Sequence, residues 1–166
     1  LNGVKLTSQQ GGAMDIQCGK RIDMILMPGT QNALADATNG SQKASLYCKG
    51  HLELQGAGSL DVSGNSKHAI STKEYLLLKK NTGAINILAA ASDALHIGQY
   101  FQMNGGTINI DDKTVGDGIQ VEATNDATDD LNGQIIIKGG TINATIAHED
   151  CKGIKNGGSE NGTVAC

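Results

Sequence analysis

Tryptophan is absent from this 166-residue chain, phenylalanine and proline occur once each, and aromatic residues make up 2% of it. A chain so short of bulky rings is poorly equipped to close one thick central core, and it suits a stack of thin layers. Positive charge is also scarce. Arginine occurs once, at Arg21, and no run of Lys or Arg interrupts a formal net charge of −4. This balance speaks against a nucleic-acid footprint or a polybasic membrane patch and leaves an acidic or metal-bridged partner open. No apolar run approaches the about 20 residues that a transmembrane helix needs. No signal-peptide pattern is present, and the sequence opens on Leu1, so any export signal is expected outside it. Cys18, Cys48, Cys151 and Cys166 match neither a CxxC zinc knuckle nor a haem site.

What is present is glycine, 23 of them, and a repeat. Small-then-apolar pairs recur at Ala13-Met14, Ser45-Leu46, Ala69-Ile70, Ala94-Leu95, Gly118-Ile119 and Gly153-Ile154. Their apolar members are 32, 24, 25, 24 and 35 residues apart. Within a unit, three short segments alternate with period two: Ile70-x-Thr72, Leu76-x-Leu78 and Ile85-x-Ile87, then Leu95-x-Ile97, Phe101-x-Met103 and Ile108-x-Ile110. Alternation turns these residues to one face of a strand, and the segments are too short for helices. Gly-rich corners follow the second segment at Gly56-Ala57-Gly58, Asn104-Gly105-Gly106-Thr107 and Gly139-Gly140-Thr141, where a tight turn favours φ > 0.

The spacing predicts an all-β, right-handed, single-stranded parallel β-helix over residues 1–166, with three short strands per turn and rungs of about 24 residues. The longer spacings locate insertions. One is an acidic loop spanning Thr124 to Gly133; another surplus lies around Pro28-Gly29-Thr30 and Asp36 to Gly40. Val4 and Leu6 fit the third strand of a preceding turn, and the pattern stops after Ile154, so a section of a longer coil is expected.

The segments Leu1-Asn2-Gly3-Val4, Ala13-Met14-Asp15-Ile16, Gly56 to Val62, Asn104 to Ile110 and Gly116-Asp117-Gly118-Ile119 resemble the β-helical carbohydrate-binding family whose clostridial member binds cellulose and polygalacturonate. The family is similar in fold to the polysaccharide-lyase β-helices. The resemblance implies an exported protein, extracellular or on the cell surface, that carries calcium and takes a plant or microbial polysaccharide as partner. The Asp-Gly-Ile corner is intact only at Asp117-Gly118-Ile119; its counterparts are Asp93-Ala94-Leu95, His68-Ala69-Ile70 and Lys152-Gly153-Ile154.

Rungs about 4.8 Å apart make columns of equivalent positions. Asp93 and Asp117 then become adjacent outward carboxylates, which either share a cation or stand solvated as turn caps. Calcium prefers several oxygen ligands, and Asp126, Asp129 and Asp150 are the candidates to complete such a site. A second outward column holds Arg21, His51, Tyr75, Tyr100 and Gln134. It reads either as a flat strip for a pyranose, with polar neighbours for its hydroxyls, or as a ladder of rings stacked for stability. Cys18 and Cys48 each precede an inward residue by four. The offset makes them neighbours near the about 4.4–6.8 Å range of a disulfide, or two buried thiols. His51, His68, His96 and His148 show no ligand spacing and are read as surface residues.

Three functions follow: a non-catalytic polysaccharide-binding module, a pectate-type lyase, and an adhesive stalk without its own ligand. Lyases of this shape are similar in setting an Arg or Lys base beside a calcium cluster. Here Arg21 falls at least two rungs from Asp93, and only Lys113 and Lys152 lie near the acidic corner. The binding module is the expectation.

Overall fold

The computed structural model describes residues 1–124, 131–157 and 164–165. All the regular structure in these residues is extended. The first turns run β1 (Lys5–Thr7), β2 (Met14–Ile16), β3 (Arg21–Ile25), β4 (Gln31–Ala35), β5 (Ala44–Cys48), β6 (His51–Gln55) and β7 (Ser59–Gly64). The coil continues through β8 (His68–Thr72), β9 (Leu76–Leu78), β10 (Ala84–Ala90), β11 (Leu95–Ile97), β12 (Phe101–Met103) and β13 (Thr107–Ile110). Its last strands are β14 (Ile119–Val121), β15 (Ile135–Ile137), β16 (Thr141–Ala144), β17 (Ile154–Asn156) and β18 (Val164–Ala165). Every third strand pairs in parallel, which gives three sheets, ordered β1-β4-β7-β10-β13-β16, β2-β5-β8-β11-β14-β17 and β3-β6-β9-β12-β15-β18.

The register follows the sequence columns. Met14, Leu46, Ile70, Leu95, Ile119 and Ile154 align strand by strand, and so do Ile22, Leu52, Leu76, Phe101 and Ile135. From Leu46 to Ile119 the first column is buried, as is the second from Leu52 to Ile135. Each such side chain contributes about 1.5–3 kcal/mol through its removal from water. The 25-residue unit absorbs its extra residue as a bulge: Ile87 pairs Val62 and Ala89 pairs Ser63, which leaves Leu88 outside the ladder and exposed.

The 32-residue first unit spends its surplus at three corners. The sequence located those at Pro28-Gly29-Thr30 and at Asp36 to Gly40, within the corner between β4 and β5. The third lies between Ile16 and Arg21, which pair Cys48 and His51 across a shorter corner. At the far end β18 pairs β15 through Val164↔Ile135, so the third sheet extends past the point where the sequence pattern fades.

The outer face of the first sheet carries a side-chain ladder. Asn86 Nδ2 donates to Asp61 Oδ1 at 2.7 Å, Asn109 Nδ2 to Asn86 Oδ1 at 2.8 Å, and Asn143 Nδ2 to Asn109 Oδ1 at 2.8 Å.

Candidate functional site

The expected outward column exists. Arg21 pairs His51, the His51 and Tyr75 rings stack at 4.4 Å, the Tyr75 and Tyr100 rings stack at 4.6 Å, and Phe101 N–H donates to the Gln134 carbonyl, which continues the row. The planes lie within 17° and 25° of parallel, so the rings turn much of their faces to each other along the coil axis. A pyranose stacks on a ring face, and here those faces are occupied.

The hydroxyl of Tyr75 is engaged as well, donating to Glu53 Oε1 at 2.7 Å. Glu53 is buried and also meets Lys79 Nζ at 2.9 Å and Arg21 Nε at 3.9 Å. Burial alone would raise the Glu53 carboxyl, but the hydrogen bonds from Lys79 and Tyr75 outweigh it and hold the group below its ordinary value. Burial and the Glu53 charge push the Tyr75 phenol far up. Glu53→Gln should therefore lower stability at neutral pH by about 1–3 kcal/mol. Because the folded value is depressed, the glutamate contributes fully above about pH 4.3, the unfolded value, and loses its contribution as pH falls through the folded one. Denaturant titrations from pH 7 to pH 3 should show the gap between the two proteins narrowing with acid.

A longer groove runs over the sheet that contains β5 and β8. Lys43 and Lys49 flank β5, and Lys67 and Lys73 flank β8; the rows are in register because Ala44 pairs His68 and Cys48 pairs Thr72. All four lysines are exposed, and none forms an ion pair among the described residues. Tyr47 lies between them, with Lys43 Nζ 4.9 Å from its ring centre. A cleft of about 910 Å³ over Gln17, Lys43, Tyr47, Lys49 and Lys73 adjoins one of about 460 Å³ that shares Lys43, Tyr47 and Lys73 and reaches Lys67 and His96. A third, of about 370 Å³, continues from Lys67, His68 and His96 to Asp117 and Asp150.

The sequence reading missed this face because its lysines stand just outside the alternating segments. The signal was available: Lys43 to Lys67 and Lys49 to Lys73 are both 24 residues.

The acidic corner differs from its expectation. Asp93 and Asp117 are adjacent but buried, because each folds in to accept the N–H of the next corner: Asp117 N–H donates to Asp93 Oδ1 at 3.0 Å, and Lys152 N–H to Asp117 Oδ1 at 2.8 Å. The other oxygens are engaged too. Asp117 Oδ2 meets Lys155 Nζ at 2.8 Å, and Asp93 Oδ2 meets His96 Nδ1 at 2.9 Å and His68 Nδ1 at 3.2 Å. Burial would raise Asp93, but the two imidazoles and the Asp117 N–H hold its carboxyl well below the usual range; burial keeps His68 low.

Each oxygen of Asp93 and Asp117 has a protein partner, so calcium, which takes several oxygens, would have to displace these contacts. Asp150 is exposed, with φ of 64°, and lines the same recess. Asp126 and Asp129 lie outside the described residues. His68 and His96, read from the sequence as surface residues, instead stack at 4.1 Å against Asp93. Stacked rungs bring them together: the repeat sets His68 against Asp93, but no ligand spacing within a single segment marks the group.

Cys18 and Cys48 are free thiols, Cys18 exposed and Cys48 buried. Cys48 pairs Ile16 rather than Cys18. The first corner is two residues longer than its neighbour, so counting back four from Ile22 and Leu52 lands on different places.

Arg21 stands on the tyrosine-bearing sheet, away from the Asp93 corner. No helix among the described residues is long and apolar enough to cross a membrane.

A search of curated proteins finds no match. Among solved structures, the chain is similar to a polysaccharide lyase-like protein from C. thermocellum, solved as a gadolinium derivative. The two are 23% identical with a TM-score of 0.75, over 99% of this chain and 75% of that one. The likeness supports the β-helical fold. A family profile matches residues 1–165, and by that match the chain belongs to the carbohydrate-binding domain-containing proteins.

Proposed function

We propose that this chain is a non-catalytic module that binds an anionic, uronate-bearing polysaccharide of plant or microbial origin along the groove over β5 and β8, in an extracellular or cell-surface setting. The observation that carries this reading is the rectangle of Lys43, Lys49, Lys67 and Lys73 around Tyr47, exposed and without carboxylate partners among the described residues. Ammonium groups at repeating positions, none of them ion-paired among the described residues, match a polymer with a carboxylate on each sugar. The tyrosine column on the other sheet is a weaker candidate, since its rings cover one another.

Affinity electrophoresis and calorimetry with polygalacturonate and a soluble neutral glucan test the reading. Lys43→Glu with Lys73→Glu should weaken polygalacturonate binding by at least about tenfold, and salt should weaken it further through screening. Tyr75→Ala with Tyr100→Ala should leave the affinity unchanged. Preference for the neutral glucan, or binding indifferent to the lysines, would sink the proposal; release of unsaturated uronate would replace it with a lyase.

A further inference from the structure

We propose that His68, Asp93 and His96 form a binding site for one divalent transition-metal ion at the end of the groove. The three residues come from two successive rungs: His68 opens β8, and Asp93 and His96 bracket the corner into β11. One ligand atom from each, taken together, lies within 4.8 Å of the others.

His68 points to a missing partner. The residue is 3% exposed, and its Nδ1 lies 3.2 Å from Asp93 Oδ2 without forming a hydrogen bond. A buried ring nitrogen in charge contact with a carboxylate, but not aligned to hydrogen-bond it, has lost water and is only partly compensated.

The surroundings match what ligand sites use to aim their donors. Asp93 Oδ1 accepts the Asp117 N–H at 3.0 Å, which fixes the carboxylate and turns Oδ2 toward the imidazoles. On the far side of His96, Glu122 Oε1 stands 3.6 Å from Nε2. In the ion-free site Asp93 Oδ2, at 2.9 Å, keeps a proton on His96 Nδ1; an ion that displaces it leaves the Nδ1 lone pair as a ligand, with the remaining proton on Nε2 facing Glu122. Two imidazole nitrogens and one carboxylate oxygen suit zinc, nickel or copper; calcium and magnesium take oxygen donors.

Bonds of about 2.0–2.2 Å in a tetrahedral arrangement separate ligand atoms by about 3.4 Å. The 2.9 Å contact of His96 must therefore open by several tenths of an ångström. His96, stacked on His68 but 21% exposed, borders a recess of about 370 Å³ that gives its ring room to shift and admits the ion from solvent. Three protein donors leave a position for water or another ligand.

Calorimetry on the EDTA-treated full chain, with zinc chloride as the probe, tests the assignment, together with cobalt absorption and melting curves. We expect one zinc per chain, a raised Tm at saturating zinc, cobalt bands of a low-coordinate site and no Tm shift with calcium. His96→Ala, at a partly exposed position, should weaken zinc at least about tenfold. Cys151→Ser, which removes the thiol in the same recess, should leave it unchanged. Absence of zinc binding, or zinc binding kept in His96→Ala and lost in Cys151→Ser, would overturn the proposal. The variants leave the four groove lysines intact, so polygalacturonate binding is read separately.

Discussion

Phe101→Ala is expected to remove about 3–5 kcal/mol of unfolding free energy, within the range for a large ring deleted from a packed interior. Phe101 is the only phenylalanine in the chain, is fully buried, and sits in register between Leu76 and Ile135. A globular core can shift helices into the space a missing ring leaves. Here the rungs above and below are fixed by ladder hydrogen bonds, so the walls of the cavity stay in place. Against a total stability of about 5–15 kcal/mol for an ordinary domain, the loss is large. Phe101→Leu should cost under about 1.5 kcal/mol. Urea titrations measure both; a Phe101→Ala loss as small as that of Phe101→Leu would mean that the rungs close in after all.

The second large effect belongs to a corner. Gly56 has φ of 91°, and a Cβ placed on it would stand 2.2 Å from the Leu26 carbonyl oxygen of the preceding rung. A left-handed backbone alone costs an L-residue about 1–2 kcal/mol. The overlap adds the displacement of a neighbouring main chain, so Gly56→Ala should lose about 3 kcal/mol or more. Gly29 provides the comparison, with φ of 73° and nothing within 4 Å of such a Cβ. Gly29→Ala should carry the backbone cost without the collision. Equal losses in the two variants, by chemical denaturation, would show that the Leu26 carbonyl yields freely.

These positions also mark how far the sequence could be read. The columns through Ile70, Leu76 and Ile85 were legible because burial enforces alternation on every rung, and the glycine corners because only glycine takes such φ values without strain. The lysine face was legible in principle through the 24-residue recurrence of its lysines, yet exposed positions carry no packing constraint to draw attention to them. The His68, Asp93 and His96 group was only half legible, since the repeat sets His68 against Asp93 but does not show that their side chains and that of His96 turn toward one another. The register of Cys18 against Cys48 was misjudged across a corner of unequal length, where register is set by loops rather than by strands.

The side-chain ladder that rises from Asp61 has a sense of direction. A carboxylate can only accept hydrogen bonds, so Asn86 must turn its amide nitrogen toward Asp61 and its oxygen toward the next rung, and Asn109 and Asn143 must follow suit. The three amide dipoles align head to tail with their positive ends toward the anion, as backbone dipoles align in a helix capped by an acid. One ionised residue thereby orients polar groups three rungs away and gives an otherwise repetitive wall an electrical polarity along the axis of the coil.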